Sequence, residues 1–102
     1  MDLSVSNQLS KILDNESKMK KLYGDRAARN LIAAVSVLKA ANTLADVPNV
    51  PPTRRHKLSG ILKEIRAINV TQSLRLLIKP IDGETEPHKI RRIELIEVTN
   101  YH

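Results

Sequence analysis

The sequence predicts an α+β domain, two N-terminal helices packed on a small antiparallel β-sheet. Three observations carry that expectation. Apolar residues recur at helical spacing through the first half of the chain. Three prolines within residues 47–52 then forbid helix continuation. Beyond them the apolar residues come in short runs separated by polar turns, which is the pattern of strands. Helices first and strands second favour a segregated architecture over an alternating one.

Taken in order, residues 2–5 fit a short edge strand. Ser6 or Asn7 can cap the first helix, and Leu9, Ile12, Leu13, Met19 and Leu22 are spaced for a buried stripe. The polar patch at residues 14–17 divides that helix into two pieces. Gly24 suits a helix C-cap and Asp25 the next N-cap. The second helix is expected to run to Asn42, burying Ala28, Leu31, Ile32, Val35 and Leu38 at the i, i+3, i+4, i+7 positions of one face. Past the prolines, residues 63–70 and 74–81 read as a hairpin closed by Thr71, Gln72 and Ser73. Alternation sends Leu74, Leu76 and Ile78 to one face and Arg75, Leu77 and Lys79 to the other. A polar loop opens at Asp82 and Gly83 and passes Pro87 and His88, before a last strand over residues 90–98. Such a sheet buries one face on the helices and leaves the other open.

The 102 residues are enough for one domain, residues 1–102, and the 41% hydrophobic content supplies its core. The chain has no cysteine, which excludes disulfide scaffolds, thiolate metal sites and cysteine nucleophiles. With neither Phe nor Trp, and with Tyr23 and Tyr101 its only aromatics, it cannot bind single strands through rows of stacking rings. Seventeen Lys and Arg against eleven Asp and Glu leave a formal charge of +6, which suits a polyanionic partner. The N-terminus lacks the basic start and apolar run of a signal peptide, and the most apolar stretch is too short to span a bilayer. A cytoplasmic protein without a membrane partner is expected.

Few residues can carry chemistry. Arg54, Arg55, His56 and Lys57 form a basic run just after the prolines. Arg75 sits among apolar neighbours in a strand, and Asn100, Tyr101 and His102 close the sequence. Each has a plain structural explanation: a solvated loop, a paired arginine, a frayed tail. His88, beside Glu86 and Pro87, reads as a surface residue. The three histidines lack metal-ligand spacing, so neither a metal nor another cofactor is expected. Taken together, these groups suffice for metal-independent RNA cleavage. That reaction needs a base for the 2′-OH, an acid for the leaving 5′-oxygen, and cations for the crowded phosphate. Spacing alone does not bring them together.

Five segments in order resemble the RelE/ParE superfamily of toxins, near its HigB-like killer-protein branch. They are LYGDRAARNL (22–31), LADVPNVPP (44–52), HKLSG (56–60), RLLIKP (75–80) and IEVTNYH (96–102). The resemblance implies a type II toxin–antitoxin toxin that cuts mRNA on the ribosome and is silenced by an antitoxin, often a helix-turn-helix protein. The family's motif histidine falls on His56, its strand arginine on Arg75, and its final acid–Tyr–His on Asn100, Tyr101 and His102. Catalysis is thereby expected of His56, Arg75, Tyr101 and His102, and RNA or phosphate binding of Arg54, Arg55, Lys57 and Asn100. Two departures stand out. Asn100 replaces an acid, so it can orient a neighbour but not act as a base. Residues 61–68 lack the glycine–aromatic pair that often precedes the family's hairpin. Relatives of the ParE type use the same scaffold against DNA gyrase. A gyrase inhibitor and a non-catalytic basic nucleic-acid-binding module therefore stand as alternatives.

Overall fold

The computed structural model describes residues 1–58, 64–81 and 83–100. Strand β1 (Asp2–Val5) leads into three helices: α1 (Asn7–Leu13), α2 (Glu16–Tyr23) and α3 (Asp25–Ala40). Four further strands follow: β2 (His56–Lys57), β3 (Arg66–Asn69), β4 (Leu74–Pro80) and β5 (Arg92–Asn100). The expected two helices are thus three, because the polar patch at Asp14 and Asn15 ends one helix and starts the next. The Asn15 side chain accepts the Lys18 N–H at 3.0 Å, a local hydrogen bond that fixes the start of α2. Ser6 caps α1 by accepting the Leu9 N–H. Gly24 takes φ 89° between α2 and α3, a conformation that a β-carbon disfavours. Gly24 itself is the N-cap of α3, and Asp25 is the first helical residue.

The sheet order is β1-β5-β4-β3-β2. Neighbours are antiparallel except β1, which runs parallel to β5. The sheet is therefore mixed, not purely antiparallel. A parallel partner for β5 needs a long crossover, and the helices between β1 and the later strands supply it. Strand β3 begins at Arg66, shorter than the expected 63–70 (residue 63 lies outside the described residues), and β5 extends two residues past the expected end.

One face of the sheet meets the helices. Ala28, Leu31 and Leu38 of α3 pack with Leu76 and Ile78 of β4 and with Ile93 and Leu95 of β5, all fully buried. Two expected core positions turn outward. Leu22 is 53% exposed and Ile32 is 40% exposed, while Ala27 is buried instead. The short α2 faces the core through the buried Met19 and the partly buried Tyr23. On α3 the buried stripe is carried by the smaller Ala27 and Ala28 at its first turn, which rotates Ile32 toward solvent.

The second face carries a smaller apolar floor. Leu58, Ala67 and Leu77 are buried there, with Ile65 and Ile96 partly buried beside them. The expectation of a fully open face is corrected to that extent. A bulge in β5 shapes the floor: Leu77 pairs with Glu97 but Ile78 pairs with Leu95, leaving Ile96 as the extra residue. Ile93 and Leu95 face the helices, and after the bulge Val98 does so again. Without the extra residue, strict alternation would turn Glu97 inward.

Candidate active site

Strand β2 and its lead-in present the basic run. His56 pairs with Ala67, which pairs with Leu77, which pairs with Glu97. Residues in one row share a face, so His56 lies on the side away from the helices, at the rim of the apolar floor. Its ring is half-buried, and Nδ1 lies 2.8 Å from the Arg54 carbonyl oxygen. Arg54 is exposed and holds φ 45°, in the left-handed region. Lys57 is exposed on the strand's other side, opposite Arg66.

Arg55 plays a different part from the expected phosphate contact. Its Nε donates to the Val47 carbonyl at 3.0 Å, tying the proline segment to the sheet edge. Burial pushes its guanidinium below the ordinary arginine value. Arg66, which sequence reasoning passed over, is buried on the helix side and donates to the Glu64 and Thr85 carbonyls. Burial first, and the nearby charge of Arg55 second, lower it as well. A groove of about 540 Å³ includes Lys57, Arg66 and Lys79 in its lining, together with Glu64 and Glu84. Lys79 reaches Glu64 at 3.9 Å, so the charges there largely balance, and His56 is not among the lining residues.

Arg75 shares the face of His56, two strands away and two positions along. Strand geometry puts their backbones about 12 Å apart. Arg75 is itself 8% exposed, and its Nη1 donates to the Thr71, Gln72 and Leu74 carbonyls at 2.8, 2.9 and 3.1 Å. Much of its hydrogen bonding therefore closes the β3–β4 turn. Asn100 is exposed and pairs with Leu74, so alternation places it on the helix side, not beside Arg75. Tyr101 and His102 lie outside the described residues.

Asn69 and Glu97 were not anticipated. Asn69 stands opposite Arg75, and its buried Oδ1 has no hydrogen-bond partner among the described residues. Glu97 is an exposed acid in the row of His56. The signal for Glu97 was the bulge, which no run of residues announces. His88 is exposed and lies 3.2 Å from Glu86, as a surface residue should.

No protein-family model matches the chain, and no curated protein matches it. Solved structures do. YafQ from E. coli strain BL21(DE3) aligns with a TM-score of 0.64 at 17% identity, over 97% of this chain and 91% of that one. A YoeB/ParE toxin from Agrobacterium tumefaciens aligns at 0.63 and 13% identity over the whole of both chains. The YoeB–YefM complex from Staphylococcus aureus aligns at 0.61 and 10% identity, covering 100% and 98%. The chain has the fold of these toxins along its full length.

Proposed function

We propose that the chain is the toxin of a type II toxin–antitoxin pair, of the HigB-like kind, and a metal-independent endoribonuclease acting on ribosome-bound mRNA. The observation that supports this best is the placement of His56. It stands on the helix-free sheet face, two residues after the exposed Arg54, in a fold shared with YafQ and YoeB-type toxins.

In this reading His56 takes the proton of a 2′-OH. The 2′-oxygen attacks the adjacent phosphorus, and the P–O5′ bond breaks. His102 donates a proton to the leaving 5′-oxygen. The products are a 2′,3′-cyclic phosphate and a 5′-hydroxyl. Arg54 and Arg75 stabilise the charge on the crowded phosphate, and Lys57, on the strand's other side, holds a neighbouring phosphate of the RNA. Arg75 arrives already immobilised by the turn carbonyls, so little ordering is needed at the moment of reaction. Tyr101 stacks on a base or donates to phosphate, and Arg55 holds the segment that carries Arg54 and His56 in place. A protein antitoxin, of helix-turn-helix type, covers the cationic surface with complementary charge.

The test is reporter-mRNA cleavage in a translating extract, with the new ends mapped. Wild-type protein should cut only translated message. His56→Ala and His102→Ala should each lose about 10²–10⁴ in rate. Arrested DNA supercoiling without RNA cleavage would replace this reading with the gyrase inhibitor. RNA binding with neither effect would leave the non-catalytic module.

A further inference from the structure

We propose that Arg54 is a positioning residue, and that its backbone serves His56 by holding the imidazole in the Nδ1–H tautomer with Nε2 as the ring's only acceptor. The observations are geometric. Arg54 adopts φ 45°, a conformation unfavourable for any residue with a β-carbon, yet no glycine stands there. The residues around it are pinned. The Thr53 carbonyl accepts the Asn69 N–H, the Arg54 N–H donates to Val50, and the Arg55 N–H donates to Pro48. The Arg55 side chain adds a tie to Val47. Between these anchors the left-handed residue turns its own carbonyl toward the ring two positions ahead. In an extended strand that carbonyl would point into the ladder or away from it.

The chemistry follows from the contact. A carbonyl oxygen can only accept, so at 2.8 Å the proton lies on Nδ1. A neutral imidazole carries one N–H, and Nε2 is left with its lone pair. Free histidine favours the opposite tautomer, so the protein supplies the preference. A base that removes a hydroxyl proton needs its lone pair on the nitrogen facing the substrate. With Nδ1–H fixed, the whole neutral population of His56 is competent through Nε2. The catalytic use of Nε2 rests on the ribonuclease reading; the tautomer itself does not.

The experiment separates the two. In ¹⁵N-labelled protein at about pH 8, above the usual histidine pKa of about 6.5, two-bond ¹H–¹⁵N correlations report which ring nitrogen is protonated. Wild type should show a protonated Nδ1 and an unprotonated Nε2. Arg54→Gly removes the guanidinium but accepts φ 45°, and should keep that pattern. Arg54→Val removes the same charge but resists the left-handed region, and should lose it. In the cleavage assay the valine variant should fall at least tenfold below the glycine variant in kcat, at equal salt dependence. A wild-type His56 protonated on Nε2 overturns the proposal. So does an altered pattern in Arg54→Gly, or a wild-type pattern in Arg54→Val. Should the valine variant fail to fold, the wild-type and glycine spectra decide alone. The expected tautomers in a protein that cuts no RNA would uphold the positioning and sink the ribonuclease.

Discussion

Arg75 and Asn69 face each other across β3 and β4 with opposite hydrogen-bonding situations. The Arg75 Nη1 serves three carbonyls; the Asn69 Oδ1 is buried and serves none among the described residues. Arg75→Ala is therefore expected to destabilise by about 2 kcal/mol, since it leaves turn carbonyls without a charged donor. A denaturant titration measures this, and an unchanged midpoint would show that the turn closes without the arginine. Asn69→Val should instead stabilise by about 1 kcal/mol, because it removes a buried acceptor without a partner and suits a strand. Its melting temperature should rise by about 4 °C, and a fall would mean that the amide is satisfied in solution. Tyr23 adds a pH dependence. Burial raises its phenol above the ordinary value of 10.0. The folded state then favours the neutral form, so stability is intact below about pH 10 and falls as pH rises from there toward the folded pKa. Tyr23→Phe should flatten that alkaline slope in a series of melts. The identities of His56 and Arg75 as candidates were visible in the sequence. Their hydrogen bonds were not, because carbonyls from a turn or a left-handed residue converge only once the chain has reversed.

At the scale of elements, the strong periodic signals located the helices, the hairpin and the first strand. The faces of β4 came out as alternation demanded, with Leu76 and Ile78 inward and Arg75 and Lys79 outward. The bulge at Ile96 was not legible. The run from Ile93 to Val98 looks like an ordinary strand, and only its pairing with β4 shows the extra residue. Sequence periodicity also misjudged Ile32 and Leu22, since it ranks positions by spacing and not by which turn reaches the sheet. Ser6 links two of these features. It caps α1 through Leu9 and donates from Oγ to the Ile96 carbonyl at 2.7 Å. Ser6→Ala should cost about 2 kcal/mol, from a lost cap and a bulge carbonyl without its donor. Hydrogen exchange at Leu9 should accelerate along with the lower melting temperature. A loss confined to global stability, with Leu9 still protected, would separate the cap from the bulge.

For the whole molecule, the +6 charge acts through exposed side chains such as Arg54 and Lys57, whereas Arg55 and Arg66 spend their donors on backbone carbonyls. Replacing both Arg54 and Lys57 with Gln should reduce the slope of log affinity against log salt by about 1.4, near 0.7 per single-strand phosphate contact. An unchanged slope would move the proposed RNA path off β2. No described helix is long and apolar enough to cross a membrane. Net charge and fold class were readable from composition and punctuation. The mixed sheet was not, because its parallel pair joins residues far apart in the sequence. That pairing, Asp2 with Arg92 through Val5 with Leu95, has a consequence for biosynthesis. Translation makes β1 early and its only sheet neighbour among the last of the described elements. Until β5 emerges, the first strand has no described strand to join, β4 keeps one bare edge, and the helices lack the part of their floor that Ile93 and Leu95 supply. Closure of the sheet is thus deferred until β5 has been made, and a long-range closure of this kind is slow relative to helix formation. A chain interrupted before β5 cannot assemble the sheet, so a prematurely terminated product does not carry the finished face on which His56 stands.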